Sequence, residues 1–231
     1  MAPSTDPHTR PPTCSVRVAT VDRVVDAVLE PQEEERTLAF RRAADRRRFV
    51  AGRGLAKRLV AELAGAEPAT VRIRARCRRC GSHEHGKPYA TLRGETWPVS
   101  IAHSAERVAV AATYGPDVGI DVERVRADRF TPDVVRMVQS GAEAGLADDV
   151  EAFTRLWVHK EAILKCTGDG LMTSPTALSL EFDGAVPRVS AASTLALPPL
   201  ALRTIRVPGP FCCAVAVATA GALALDVELL D

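Results

Sequence analysis

The sequence predicts an α+β fold made of two similar halves. Strand-like apolar runs and longer stretches with helical spacing follow one another in the order strand, helices, several strands, and that order occurs twice without a clear sequence repeat. A turn signal, Tyr114-Gly115-Pro116-Asp117, divides the 231 residues near their midpoint, so the halves are expected at 1–115 and 116–231. A composition of 46% hydrophobic and 26% charged residues is that of a globular chain with a core, and excludes collagen-like, mucin-like and wholly disordered classes.

Each element has a local reason. Residues 1–13 are rich in Pro and Thr and read as loose. A first strand is expected at 16–21. Pro31, followed by Glu33, Glu34 and Glu35, suits the first turn of a helix, where acids complement the dipole. Phe49, Leu55, Leu59, Val60 and Leu63 recur at helical spacing, which predicts a helix over 43–63 that Gly65 ends. Strands are expected at 71–75, 89–92, 99–101 and 107–113, and 118–122 opens the second half. Helices are expected at about 131–147 and 148–167, the last closed by Gly168 and Gly170. Strands return at 178–182, 201–207, 211–218 and 223–229. No charge-free run approaches the roughly 18–20 residues of a membrane span. The first residues carry Asp6, His8 and Arg10 without an apolar stretch, unlike a secretory signal. The expectation is a cytoplasmic protein that neither crosses nor binds a membrane.

A net charge of +1 conceals an asymmetry. Residues 1–115 hold 20 Lys and Arg against 13 acids, and 116–231 hold 10 against 16. Within 41–80 alone there are 13 basic and 3 acidic residues. A basic first half suits a polyanion such as nucleic acid, nucleotide phosphates or an acidic protein, and an acidic second half suits a metal. Six cysteines are expected to be reduced thiols, with Cys212 and Cys213 in an apolar strand. The segment Cys77-Arg-Arg-Cys80-Gly-Ser-His83-Glu-His85 has zinc-compatible ligand types but lacks the second, separated ligand pair of a finger or ribbon.

Four patterns bear on chemistry. In Gly119-Ile120-Asp121-Val122-Glu123, strand alternation puts Asp121 and Glu123 on one face and Ile120 and Val122 toward a core. Two carboxylates on one face call for a cation, and oxygen donors favour Mg²⁺, although a solvent-facing sheet edge gives the same pattern. In the second pattern, Trp157, Glu161 and Lys165 lie at i, i+4 and i+8 on one helix face, with Lys160 flanking it. An aromatic core contact beside a surface Glu–Lys pair is the plain alternative. The third is Gly86-Lys87-Pro88 with, eleven residues after Pro88, a strand-like run ending in His103-Ser104, where Lys87 and His103 are placed to meet phosphate. In the fourth, Arg46, Arg53 and Lys57 share one face of the predicted 43–63 helix and form a candidate phosphate clamp.

In this order and spacing, Gly-Ile-Asp-Val-Glu followed some forty residues later by Trp-x-x-Lys-Glu-Ala-x-x-Lys resembles the two signature motifs of 4′-phosphopantetheinyl transferases. Gly86-Lys87-Pro88, His103-Ser104 and the chain length resemble the Sfp-type subgroup, and the likeness covers about 40–220. The resemblance implies a monomeric, pseudo-two-fold pair of α+β halves. It implies Mg²⁺-dependent transfer of the phosphopantetheine arm of coenzyme A, the co-substrate, to a serine of an apo acyl or peptidyl carrier protein, with 3′,5′-ADP as the other product. Carrier domains of polyketide and nonribosomal peptide synthases are the implied acceptors, and the carrier is expected to be acidic and helical. By the same resemblance Asp121, Glu123 and Glu161 are metal ligands. Glu161 is the general base and Lys165 the pyrophosphate contact. Lys87, His103 and Lys160 contact phosphates, Pro88 belongs to the coenzyme A-binding set, and Arg46, Arg53 and Lys57 hold the 3′-phosphate and adenosine end.

Three positions depart from the family pattern. Ser100 stands where many members have Asn, Ala102 where they have Ser, and Asp169 where they have Lys. Other readings of the chain are a fatty-acid carrier as acceptor, a nucleic-acid binder built on 41–80 with a Cys/His zinc knuckle, and a pseudo-enzyme. Only Phe49 interleaves the basic run with an aromatic ring, against base stacking, and the intact set Asp121, Glu123, Glu161 and Lys165 speaks against a pseudo-enzyme.

Overall fold

The computed structural model describes residues 13–24, 27–184, 186–193 and 195–230. In chain order the first half contains β1 (Thr13–Thr20), α1 (Pro31–Leu38), α2 (Ala43–Ala64), β2 (Arg72–Arg76), β3 (Lys87–Leu92), β4 (Glu95–Ser104) and β5 (Arg107–Thr113). The second contains β6 (Val118–Arg124), α3 (Pro132–Val138), α4 (Val150–Thr167), β7 (Leu178–Asp183), β8 (Val186–Ala192), β9 (Leu200–Ile205), β10 (Phe211–Ala218) and β11 (Ala224–Leu230). This is the expected α+β class. Among the described residues no helix is long and apolar enough to cross a membrane.

Helix ends fall where the sequence marks them. Glu30 and Glu33 form a reciprocal capping box at α1. Gly65 (φ 58°) and Gly168 (φ 80°) close α2 and α4 in the left-handed conformation. The expected helix over 131–147 is cut to α3 and a single 3₁₀ turn. Glu143 explains the break. Its carboxylate is buried and accepts from Ser140 N–H, Leu180 N–H and Lys160 Nζ, so the chain around it turns inward instead of continuing a helix. Strand β8 was not expected. Its sequence contains Pro187 and lacks apolar alternation, and β7 holds it as a hairpin.

The strands form a six-stranded sheet in the order β11-β1-β5-β4-β3-β2, a three-stranded sheet β6-β10-β9, and the β7-β8 hairpin. The expected boundary after residue 115 is crossed by β11, which pairs in parallel with β1. Packing is layered. Helix α2 covers one face of the large sheet through Leu55, Leu59 and Val60 against Val99, Val108 and Val110. Between the sheets lie Val16 and Val18 of β1, Ile120 and Val122 of β6, and Cys213 and Val215 of β10. Helix α4 covers the far face of the small sheet through Leu156, Ile163 and Leu164. Among the described residues each half thus has one long helix on the outside of its sheet, but the first half supplies five strands and the second six, of which β11 joins the sheet of the first.

Candidate active site in the cleft between the halves

Strand β6 sends Ile120 and Val122 inward and turns Asp121 and Glu123 toward the α4 side, as alternation requires. Gly119 lets α4 come close. A Cβ there would stand 2.0 Å from the Ala162 carbonyl oxygen and 2.3 Å from Cys166 N. That contact sets Glu161 and Lys165, on the same helix face, over Asp121. Lys165 Nζ lies 2.5 Å from Asp121 Oδ1. Asp121 Oδ2 and Glu161 Oε1 are buried without a hydrogen-bond partner. Glu123 accepts from Ser104 Oγ at 2.6 Å, which ties it to the end of β4.

Three carboxylates around one ammonium leave the site short of positive charge. Burial, with Glu123 and Glu161 adding to it against Lys165, pushes the Asp121 carboxyl up to about 7. Burial and then Glu123 also raise Glu161, while Lys165 pulls it back. Burial acts to lower Lys165, but Asp121, Glu161 and Glu123 outweigh it and hold the ammonium above its ordinary value. Two orphaned carboxylate oxygens in an anionic, oxygen-only setting fit a hard divalent cation such as Mg²⁺. As the side chains stand, Lys165 occupies Oδ1 of Asp121, which leaves Oδ2 and the Glu161 oxygen to a metal.

Through Lys165 the cluster reaches a cleft of about 550 Å³ between the halves, lined by Lys87, Pro88 and Ser100 on one side and by Lys165, Gly168 and Asp169 on the other. It shares Cys77, Lys87 and Pro88 with an adjoining hollow of about 580 Å³ that also holds Arg76 and Arg78. A model of the 4′-phosphopantetheinyl transferase superfamily matches residues 117–215, the segment that carries Asp121, Glu123, Glu161 and Lys165.

That segment is similar to the 4′-phosphopantetheinyl transferase superfamily.

Two curated relatives agree. A phosphopantetheinyl transferase of Thraustochytrium sp. is 27% identical over 165 residues, which cover 64% of this chain and 55% of the relative. The 4′-phosphopantetheinyl transferase HetI of Nostoc sp. is 32% identical over 161 residues, 63% of this chain and 62% of HetI. The matched region therefore spans less than two thirds of either relative's own length.

The structure gathers some of the motif residues and separates others. Asp121, Glu123, Glu161 and Lys165 come together, and Lys87 and Pro88 line the cleft beside them. Lys87 Nζ bridges Asp117 Oδ1 (2.5 Å) and the Cys166 carbonyl (2.6 Å), joining the halves at the cleft floor. His103 stands exposed at the end of β4. Partial enclosure of its ring, with Arg48 and Lys165 nearby, holds its imidazole below the ordinary value.

Lys160 is a correction. It is fully buried, and its ammonium donates to Glu143 and to the carbonyls of Val138, Pro175 and Leu178. One residue from Glu161 is about 100° around the helix, which turns Lys160 into the core, away from phosphate. Lys57 is a second correction. It is 1% exposed and donates to Glu33 (2.5 Å) and the Val28 carbonyl. Arg53 lies over the Phe49 ring and 3.7 Å from Glu33, and Arg46 is exposed beside Asp22 and Arg47. The shared face thus packs against α1 at one end and opens to solvent at the other, so it forms no single clamp.

The basic run is also dispersed. Arg72 and Arg74 pair with Glu30, and Arg48 pairs with Asp45, which removes the continuous basic face that a nucleic-acid binder needs. The sequence reading missed Arg78 and Arg79 as cleft residues, Glu143 as the partner of Lys160, and Ser104 as the partner of Glu123. Ser100, the departure from Asn, accepts the Ile120 N–H at 3.0 Å and pins β4 to β6.

Proposed function

We propose that this chain transfers the 4′-phosphopantetheine arm of coenzyme A to a serine hydroxyl of an apo acyl or peptidyl carrier protein, releasing 3′,5′-ADP. The observation that carries the reading is the pair of orphaned buried oxygens on Asp121 and Glu161 beside Lys165, at the edge of a two-sided cleft, in a segment that matches this superfamily. Asp121, Glu123 and Glu161 would hold Mg²⁺. When bound, that ion supplies charge neutralisation to the pyrophosphate in the phosphoryl-transfer transition state.

The chain's own side chains divide the remaining work. The serine oxygen bonds to the pantetheine-side phosphorus as the bond from that phosphorus to the bridging oxygen breaks. Glu161, whose carboxyl burial holds above the ordinary value, accepts the serine proton directly or through one water. Lys165 stays charged among the carboxylates and stabilises the leaving phosphate of 3′,5′-ADP. Lys87 and His103 bind phosphate oxygens, and Pro88 lines the approach beside Lys87. The acceptors are carrier domains of polyketide and nonribosomal peptide synthases, as in the Sfp-type subgroup, met by a monomer in the cytoplasm. The basic first half steers coenzyme A and an acidic carrier to the cleft.

The test is the intact mass of purified apo carrier proteins after incubation with the chain, coenzyme A and Mg²⁺. A gain of one phosphopantetheine, lost with EDTA and with Glu161→Ala, supports the reading. Unchanged masses across acyl and peptidyl carriers, with coenzyme A unbound by calorimetry, overturn it.

A further inference from the structure

The loop between β2 and β3 carries chemistry that phosphopantetheine transfer does not use. Among the described residues, Cys77 Sγ, Cys80 Sγ and a ring nitrogen of His85 form a ligand group whose atoms all lie within 4.8 Å of one another. Cys80 Sγ stands 3.4 Å from His85 Nε2. Tetrahedral zinc with its usual bond lengths sets a sulfur and a nitrogen about 3.6 Å apart and two sulfurs about 3.8 Å apart. The Cys80–His85 distance is already close to that spacing, and no pair of the three atoms lies more than 4.8 Å apart.

The backbone holds the ligands in that arrangement. Cys77 N–H donates to the Ser82 carbonyl (2.8 Å) and Gly81 N–H donates to the Cys77 carbonyl (3.0 Å), which folds the Cys-x-x-Cys-Gly segment into a tight knuckle. Gly86, at φ 109°, lies against the loop's own neck. A Cβ there would stand 2.4 Å from the Arg76 carbonyl and Cys77 N, so only glycine returns His85 to a position opposite Cys77. Thiolate and imidazole donors select zinc over the oxygen-seeking cation of the carboxylate site.

We propose that Cys77, Cys80 and His85 bind one zinc ion at the rim of the cleft, with water in the fourth position, and that this ion clamps the 77–86 loop. The loop is a wall of the cleft and touches the other half. Arg78 donates to the Thr167 carbonyl at the end of α4, and Lys87 follows His85 by two residues. His83 lies on the same loop but outside the ligand group and lines the adjoining hollow.

Zinc content and trypsin sensitivity test this directly, and neither readout depends on transferase activity. The whole chain, purified reduced and without chelator from zinc-supplemented cells, is expected to carry about one zinc per molecule by elemental mass spectrometry. Cys80→Ser and His85→Ala, both at exposed positions, are expected to lose it with an unchanged circular dichroism spectrum, while His83→Ala keeps it. Zinc is expected to slow cleavage after Arg78 and Arg79 at least about tenfold over metal-stripped protein, because opening the loop then requires breaking the ligand bonds. No zinc in the reduced protein, zinc retained by both ligand variants, zinc lost from His83→Ala, or cleavage indifferent to zinc would each overturn the proposal.

Discussion

Asp121 shows how the site trades stability for a reactive arrangement. Its carboxyl is raised to about 7 from an ordinary value of 3.8, so between those values the folded chain holds a proton that the unfolded chain has released. The protonated form therefore favours folding at low pH, and this contribution is lost as pH rises through about 7. Asp121→Asn removes that loss. At pH 8 it is expected to melt no lower than the parent, while transfer to carrier falls by at least about a hundredfold, as on deletion of a group that stabilises transition-state charge. Melting curves and the carrier mass assay on one preparation check both halves of the prediction. His159 has the opposite sign. Burial holds its imidazole down to about 4, where it contacts the Arg155 carbonyl and Thr204 Oγ1. The folded chain binds fewer protons than the unfolded one between about 4 and 6.5. Stability present above 6.5 is lost as pH falls toward 4, with a slope from this one group of at most about 1.4 kcal/mol per pH unit. Asp121 contributes a slope of opposite sign over much of this range, so urea titrations read the His159 slope by difference: the stability of the parent minus that of His159→Gln is expected to fall with it from pH 6.5 to 4.5.

At the scale of elements, the contact between α4 and β6 decides where the chemistry sits. Gly119→Ala places a methyl against the α4 backbone and forces the helix away from Asp121. The expected cost is about 1–3 kcal/mol or more of stability, with loss of kcat as Glu161 and Lys165 leave register. Unchanged melting and turnover would contradict this packing. Lys160 separates two roles that the motif alone does not. As a buried strut paired with Glu143, its change to Met strands a charge and is expected to cost about 3–5 kcal/mol. A phosphate contact would instead raise KM for coenzyme A and leave melting unchanged. The sequence shows which residues share a helix face, since that follows from 3.6 residues per turn, and so it grouped Glu161 and Lys165 correctly. Which face meets the core depends on tertiary packing, and so Lys160 and Lys57 were misread as open. Glycines marked the ends of α2 and α4 because left-handed backbone is a local property. The loss of helix after Val138 was hidden, because it follows from Glu143 seeking Lys160 and Leu180 across the fold. Strand β8 was hidden because only hairpin pairing, and no apolar alternation, makes it a strand.

At the scale of the whole molecule, β11 binds the second half to the first. It pairs in parallel with β1 from Thr13↔Ala224 to Ala19↔Leu230, and Asp226 meets Arg17 at 2.9 Å while Glu62 of α2 meets the same guanidinium at 2.6 Å. Deleting 224–230 would uncover the β1 edge of the six-stranded sheet and leave the buried Arg17 with fewer carboxylates. The effect would not stay at that edge. Val16 and Val18 of β1 pack against the same inner layer as Ile120 and Val122, which flank Asp121. Loosening β1 therefore loosens the strand that presents the carboxylates. The truncated chain is expected to melt lower, to self-associate as its concentration rises, and to lose carrier modification in proportion to its loss of folded protein. Thermal melts, size exclusion at several concentrations, and turnover normalised to folded fraction measure these. A truncation that kept its melting temperature yet lost turnover would place β11 in the site itself. One that kept both would show that the small sheet and α4 hold the catalytic register without the strand that joins the halves.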